Sequence, residues 1–331
     1  MKILSKLKIA FAIIALTSFT LSCDNDDEMP VDNTITGIAS RTADLSILVQ
    51  ALTRAGLADD LQNSSAQLTA FAPTNDAFNA FFQSISPTTN VNNVDLPTLT
   101  KVLLNHVIGS EIKSVNVPAA GYVSTLSPFG TGTNPPTISM FVQKVGLDVF
   151  INGGTATTGV KVITADVDAS NGVVHIVNKV IAIPTIVDHV VANPNFDTLQ
   201  TLVTSPAQSA VLAALQGLTA VAPATLFAPS NAALATATGT GGFANGATAA
   251  QVTKVLQYHV TTAGNVRSNQ LMPNQIVPMF TTPIQNTTVI LGTGTVDIRD
   301  TVNSLSRVFQ ADIQASNGVI HGVNKVLQPA L

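Results

Sequence analysis

Four of the five histidines are the residues whose type and placement could most readily do chemistry in this sequence. His106 corresponds to His259 and His175 to His321, because each pair occupies the same place in two similar stretches. A metal site needs two or more ligands brought together, commonly at short local spacing, and no such spacing occurs here. Since His106 and His259 continue an apolar helical stripe, we predict buried imidazoles that bond to backbone groups, with no metal and no other cofactor.

The remaining histidine and the serine and cysteine patterns do not complete a catalytic motif. His189 has no partner of this kind, and we expect it on the surface of a helix. The sequence contains no Gly-x-Ser-x-Gly, no His-Glu-x-x-His and no Cys-His pair. We therefore predict that the chain is not an enzyme. A cleft in which Ser, His and Asp side chains bond to one another would indicate the opposite.

The strand histidines His175 and His321 belong to a stretch that the chain contains twice. Residues 165–181 and 311–327 are identical at 12 of 17 aligned positions, and three of the five differences only exchange Val, Ile or Leu. A run this specific indicates a tandem duplication. Each copy has an Asn-Gly pair, which fits a tight turn before a strand rich in β-branched residues. The turn residues are Asn171, Gly172, Asn317 and Gly318.

Capping residues and apolar spacing predict the elements that position these side chains. In the first copy, we expect Asp44 to begin a helix that ends at Gly56, and Thr74 or Asn75 to cap a second helix. Asp95 caps a third helix, whose apolar stripe ends at His106. Short strands follow, separated by loops rich in Gly, Pro and Asn, and the second copy repeats this order.

The composition restricts the possible partners. Hydrophobic residues make up 46% of the 331 residues, charged residues only 10%, and the formal net charge is -4. Because the chain has no basic patch, we expect no nucleic-acid partner. With no Trp and two Tyr, an extended aromatic platform for sugars or bases is not expected.

The N-terminus resembles a bacterial export signal that ends at the single cysteine. Three Lys precede an apolar run at 9–16, and Thr20-Leu21-Ser22-Cys23 resembles a lipobox, although Thr20 stands where Leu is usual. We predict lipidation of Cys23, since a free thiol outside the cell would be a liability. Ordinary cleavage after Ser22, giving a secreted or periplasmic protein, is the alternative.

The acidic run at 24–28 follows Cys23 directly. It is typical of a solvated tether, and it is also similar to the acidic run that sends some lipoproteins to the outer leaflet. We therefore expect an outer-membrane lipoprotein exposed at the cell surface. The predicted organisation is a signal peptide at 1–22, a lipidated acidic tether at 23–33, repeat 1 at 34–184 and repeat 2 at 185–331.

Both repeats resemble fasciclin domains over about residues 34–331. The matching phrases are Thr185-Ile186-Val187-Asp188, Asn193-Pro194-Asn195-Phe196, Phe-Ala-Pro-Thr/Ser-Asn at 71–75 and 227–231, Tyr258-His259, and Ala-Ser-Asn-Gly-Val-x-His in both copies. The resemblance implies an α+β fold of two tandem domains, each a wedge-shaped antiparallel β-sandwich flanked by short helices. It also implies an extracellular, non-enzymatic role in adhesion or matrix binding.

The family pattern also indicates candidate adhesion residues. In animal members an Asp-Ile pair before the Ala-Thr/Ser-Asn-Gly turn is implicated in receptor binding. It corresponds to Asp312-Ile313 in repeat 2 and Asp166-Val167 in repeat 1. Capping of the backbone amides of the turn that follows is the expected role of the two aspartates, and it is compatible with binding. Tyr258-His259 matches the family, whereas repeat 1 has Asn105 before its histidine.

Two functions from different classes remain after these observations. The first is a surface-anchored adhesion lipoprotein, attached to the membrane by its lipid and bound to protein or polysaccharide of the matrix or of another cell surface. The alternative is an accessory lipoprotein that captures a glycan or small ligand, for which a pocket lined by Phe would be the supporting observation.

Overall fold

A computed structural model of the chain describes residues 31–62, 67–153 and 159–331. The predicted signal peptide, Cys23 and the acidic run at 24–28 lie outside these residues. The helices are α1 (Ile35–Arg41), α2 (Ser46–Ala55), α3 (Asn75–Ile85), α4 (Leu96–Asn105), α5 (Ile186–Ala192), α6 (Asp197–Val203), α7 (Ser209–Gln216), α8 (Asn231–Thr238) and α9 (Ala249–Gln257).

Strands alternate with these helices in both repeats. Repeat 1 contains β1 (Leu68–Pro73), β2 (Val107–Ile108), β3 (Ala120–Pro128), β4 (Thr137–Val145), β5 (Asp148–Ile151), β6 (Val160–Ala169) and β7 (Gly172–Val177). Repeat 2 contains β8 (Ala224–Pro229), β9 (Val260–Thr261), β10 (Ile276–Pro278), β11 (Asn286–Gly292), β12 (Thr295–Arg299), β13 (Leu305–Ala315) and β14 (Gly318–Val323). Within the described residues, no helix is both long enough and apolar enough to span a membrane.

The strands of each repeat form one seven-stranded sheet. In repeat 1 the order β1 to β7 closes into a barrel, because β7 returns to pair with β1. In repeat 2 the order is β10-β11-β12-β13-β14-β8-β9, and the Phe280 N–H bonds the Val260 carbonyl at 2.7 Å just beyond β10. The pairs β1–β7 and β8–β14 are parallel, a detail that the prediction of antiparallel strands did not include. The predicted α+β class is confirmed.

Each repeat buries two apolar clusters. In repeat 1, one cluster lies under the helices and includes Phe78 and Leu99, and the other lies within the barrel and includes Met140. Repeat 2 has the same arrangement, with Phe196 under the helices and Ile298 within the sheet. Each fully buried side chain of this size contributes roughly 1.5–3 kcal/mol to folding. The clusters therefore stabilise the sheet from which the loops described below extend.

Side-chain caps fix where the helices begin. Thr74 Oγ1 accepts the N–H of Ala77 at 3.2 Å, and Asp95 accepts the N–H of Thr98 at 2.9 Å, as predicted. The prediction for Asp44 is wrong, because the N-cap position of α2 is Leu45, without a side-chain cap. The carboxamide of Asn75 instead accepts the Ile47 N–H at 2.9 Å, so the start of α3 also caps α2.

Candidate functional site

Asp166 and Asp312 occupy equivalent positions with equivalent bonds. One oxygen of Asp166 accepts the Ser114 N–H at 2.7 Å, and the other accepts the Ser114 hydroxyl. Asp312 bonds Ser268 in the same way, with the N–H at 2.8 Å. These serines begin the short 3-10 turns Ser114–Asn116 and Ser268–Gln270. The aspartates therefore cap a distant turn rather than the Asn-Gly turn that follows them, which corrects the capping prediction.

A β-bulge aims both aspartates at these turns. The register of β6 on β7 shifts between Thr164 and Val167, and that of β13 on β14 shifts between Gln310 and Ile313. Asp166 has φ of 58° and Asp312 has φ of 61°, a left-handed conformation that aspartate adopts more readily than most residues. Desolvation acts to raise the pKa of the Asp312 carboxyl, but the hydrogen bonds from Ser268 oppose it and the pKa lies below its usual value.

The strand histidines hold the bulge to the same loop. The Asp312 N–H bonds His321 Nδ1 at 3.3 Å, and His321 Nε2 lies 2.9 Å from the Val266 carbonyl. His175 bonds Asp166 N–H and the Ile112 carbonyl at 3.2 and 2.9 Å. Since Nδ1 accepts, Nε2 must carry the proton and donate to the carbonyl. Both histidines are neutral cross-links between a strand and the loop before the 3-10 turn.

Ser268, Asp312 and His321 lie together, yet their order is not that of a catalytic triad. The serine hydroxyl donates directly to the carboxylate, and both histidine nitrogens bond backbone groups. A nucleophilic serine needs the histidine as its base, with the carboxylate behind the histidine. The trio therefore stabilises the loop and does not activate the hydroxyl. Among the described residues, no group of three or more His, Cys, Asp or Glu side chains could hold a metal ion.

The helix histidines join each repeat's C-terminal segment to a helix end. His106 Nδ1 lies 2.7 Å from the Val102 carbonyl, and its Nε2 accepts the Ile181 N–H at 2.8 Å. His259 makes the same bonds in repeat 2, at 2.7 and 2.9 Å. Burial lowers the pKa of His106 to about 4, and that of His259 to about 4. Both imidazoles are neutral, with the proton on Nδ1.

Asn171 and Asn317 attach the first helix of each repeat to its sheet. The Asn171 carboxamide accepts the Ile35 N–H at 2.9 Å and donates to the Leu61 carbonyl at 2.7 Å. Asn317 accepts the Ile186 N–H at 2.8 Å. Gly172 and Gly318, which follow them, permit the close approach of the parallel neighbour strand.

Several predicted adhesion residues are buried. Ile313 is 1% exposed, Tyr258 is 0% exposed and His259 is 1% exposed. The Tyr258 hydroxyl donates to the Asn286 carbonyl at 2.7 Å, and Val167 packs on the core of repeat 1. A role for these four in adhesion is therefore indirect, through the surface they support. Asp312, with 22% of its side chain exposed, is the accessible member in repeat 2.

The two repeats contact each other through residues that the sequence pattern did not identify. The ring of Tyr122 lies edge-on to His189 with centroids 5.3 Å apart, and its hydroxyl accepts from Asn193 at 3.3 Å. The Gln314 N–H donates to Ser139 Oγ at 2.9 Å. Burial raises the pKa of the Tyr122 hydroxyl.

The prediction of a surface position for His189 is wrong. The residue is 0% exposed, because Tyr122 of repeat 1 and the backbone of Gln314 cover it. Within the described part of the chain, neither ring nitrogen makes a well-aligned hydrogen bond, although the Gln314 backbone lies close enough to act on the ring. Burial lowers the pKa of His189 to about 4, partly offset by the nearby Gln314 backbone. The equivalent position in repeat 1 is Ile38, and this apolar residue could have indicated from the sequence that the position is buried.

This architecture defines a two-domain α+β protein built from a repeated seven-stranded sheet with helices packed on it. The sequence profile of the Fasciclin domain matches residues 43–184 and 194–329. The chain therefore belongs to the fasciclin domain family, as predicted. Fasciclin domains are associated with cell adhesion and extracellular interaction.

Relatives of known sequence match about one repeat's length of this chain. Protein sll1483 of Synechocystis sp. is 36% identical over 155 residues, which are 46% of this chain and 74% of that protein. Uncharacterized protein sll1735 of the same organism is 29% identical over 147 residues, or 44% of this chain and 96% of that protein. A FAS1 domain pair from the insect cell adhesion molecule fasciclin I gives a TM-score of 0.48 at 19% identity, covering 86% of this chain and 96% of that structure.

Proposed function

We propose that the chain is a surface-anchored, non-catalytic adhesion lipoprotein that binds protein or polysaccharide of the matrix or of another cell surface. The observation that supports this function is the presence of two domains of an adhesion-associated family over residues 43–184 and 194–329. Both domains keep the aspartate whose carboxylate shapes a surface loop, which gives the chain two copies of a potential contact surface.

Anchoring through Cys23 is part of the proposal. The single cysteine of the sequence directly follows the stretch that resembles a secretory signal and precedes an acidic run. Lipidation with two or more acyl chains would hold the protein firmly, whereas one chain gives only marginal binding. We propose that the protein lies in the outer membrane with its two domains facing outward, and a secreted or periplasmic form is the alternative.

Repeat 2 is proposed to contribute more to adhesion than repeat 1. It keeps the Asp312-Ile313 pair and lies farther along the chain from Cys23. Asp312 also fixes the loop that contains Arg267 and Ser268, which faces the boundary with repeat 1.

Asp312→Asn is expected to lower adhesion several-fold more than Asp166→Asn. Both variants weaken the same pair of bonds to a serine, each at a cost of about 1–2 kcal/mol in stability, and both keep a residue that tolerates a positive φ. The measurement is the retention under flow of beads coated with the full chain, on surfaces covered with matrix polymers or cell-surface extract.

Thermal unfolding followed by circular dichroism is the control, and the two variants should melt alike. Failure of the unsubstituted chain to hold beads on any of these surfaces would refute the adhesive function. Equal retention by the two variants would refute only the larger contribution of repeat 2.

A further inference from the structure

The boundary between the repeats contains an open cleft of about 650 Å³. One wall is the loop between β3 and β4 of repeat 1, and the other is the 265–270 loop of repeat 2 that Asp312 caps. We call it the interdomain cleft. Its volume lies within the range of roughly 300–1,000 Å³ that is usual for ligand sites. The lining side chains that bear on the argument are Phe129, Asn134, Arg267, Asn269 and Gln270.

Arg267 is the cation in this cleft, and the equivalent residue of repeat 1, Lys113, has different neighbours. Lys113 precedes Ser114 as Arg267 precedes Ser268. The Lys113 ammonium lies 2.8 Å from the Asp168 carboxylate and 4.0 Å from that of Glu111. Two carboxylates of its own repeat therefore compensate the charge of Lys113.

In repeat 2, amides replace both of these carboxylates. Asn265 stands in place of Glu111 and Gln314 in place of Asp168, and the two amides bond each other at 3.1 and 2.9 Å. Among the residues that the structure describes, Asp312, at 3.6 Å, is the carboxylate that pairs with Arg267.

The ion pair with Asp312 does not satisfy all the hydrogen-bond donors of the Arg267 guanidinium. Both oxygens of Asp312 already accept from Ser268. Among the described residues, the buried Nε of Arg267 makes no hydrogen bond. The two exchanges from acid to amide therefore make the loop more positive at the place where the cleft opens.

We propose that the interdomain cleft binds a polysaccharide that contains uronic acid residues. The planar guanidinium of Arg267 pairs with the sugar carboxylate, since its forked donors match that group. The exposed amides of Asn134, Asn269 and Gln270 bond the sugar hydroxyls. The half-buried ring of Phe129 packs on the apolar face of a sugar. This inference rests on the proposed adhesive function and specifies its partner as an acidic polysaccharide.

The lining favours a glycan over a protein partner. Stable protein interfaces have an apolar core that excludes water, with aromatic and aliphatic anchors. Among the described residues, the lining of this cleft has one aromatic ring, several amides and one cation, a combination that suits hydroxyl groups and a carboxylate.

Arg267→Gln is expected to weaken binding of oligogalacturonate to the full chain in detergent by about tenfold or more, the effect of losing a charge-assisted pair. The affinity of Arg267→Lys, which keeps the positive charge but lacks the forked donors of arginine, should lie between those of Arg267→Gln and the unsubstituted chain. Phe129→Ala should weaken binding several-fold. Lys113→Gln is the matched control and should bind like the unsubstituted chain. Titration calorimetry measures each affinity, and circular dichroism shows whether each variant melts like its parent.

Two further probes separate the chemical sources of binding. Fully methyl-esterified oligogalacturonate has the same sugar backbone without charge, and it should bind at least about tenfold more weakly. Polyglutamate presents carboxylates without sugar and should not compete. Equal binding of the ester, equal affinity of Arg267→Gln, or effective competition by polyglutamate would each overturn the proposal. If oligogalacturonate does not bind while coated beads still adhere, the glycan inference fails and the adhesive function stands.

Discussion

Alanine at Gly172 or Gly318 is expected to prevent stable folding of the repeat that contains it. A Cβ on Gly172 would lie 1.9 Å from the Leu68 carbonyl oxygen, and one on Gly318 would lie 2.1 Å from the Ala224 carbonyl oxygen. These carbonyls belong to strands that pair in parallel with the glycine strands, so neither can retreat without breaking the sheet. The φ values of 141° and 153° add backbone strain. The loss should exceed about 4 kcal/mol, the range reached only by severe substitutions.

Gly294→Ala is the matched control for this effect. Gly294 also has a positive φ, of 68°, but a Cβ there meets nothing within 4 Å. Alanine should therefore cost only the strain of about 1–2 kcal/mol that a left-handed residue stores. Soluble yield and thermal unfolding by circular dichroism distinguish the variants. A Gly318→Ala protein with a melting temperature close to that of Gly294→Ala would contradict the close approach of the two strands.

The protein should lose stability steeply as the pH falls from 6.5 towards 4. His106, His189 and His259 each have a folded pKa of about 4, against an ordinary value of 6.5. Between these values the unfolded chain binds protons that the folded chain does not, so acid favours unfolding. The stabilisation is complete above pH 6.5, and its loss levels off below pH 4. Each histidine contributes a slope of up to about 1.4 kcal/mol per pH unit, or about 4 kcal/mol for all three.

His189→Phe tests the origin of this acid sensitivity. Phenylalanine preserves an aromatic contact with Tyr122 and removes two buried ring nitrogens that make no well-aligned hydrogen bond within the described residues. We expect the variant to be about 1 kcal/mol more stable at neutral pH and to lose about 1.4 kcal/mol per pH unit from the acid slope. Denaturant unfolding followed by circular dichroism at pH 7, 6 and 5 measures both quantities. Identical stability of the unsubstituted chain at pH 7 and 5 would contradict the neutral, buried histidines.

The sequence predicted the local structure best where a residue acts on backbone groups next to it in the sequence. Thr74 and Asp95 cap the helices they precede, and Gly56 ends α2 in the left-handed conformation. Prediction failed at Asp44 because the donor it would have capped is satisfied by Asn75, which is distant in sequence. The parallel pairing of β1 with β7 was equally inaccessible, since short-range patterns do not specify which strands meet.

At the candidate site, too, local patterns identified residues but not their contacts with residues distant in sequence. The repeated phrase identified Asp166 and Asp312, but a β-bulge turns each carboxylate towards a serine in an earlier loop, which no local pattern indicates. His189 faces the other repeat, and a surface helix position cannot be told from an interdomain one by periodicity alone. The interdomain cleft was missed for the same reason, although the exchange of Asp168 for Gln314 is visible when the repeats are aligned.

Detachment of cells under flow tests surface-anchored adhesion most directly. Cells that display the unsubstituted chain should stay attached to matrix-coated surfaces. Cells with Cys23→Ser should detach like cells without the protein, because the variant is released into the medium. Immunoblots of membrane and medium fractions, with incorporation of labelled fatty acid, establish where each form resides. Attachment that persists in Cys23→Ser cells, with the variant still in the membrane fraction, would contradict a lipid-anchored adhesin.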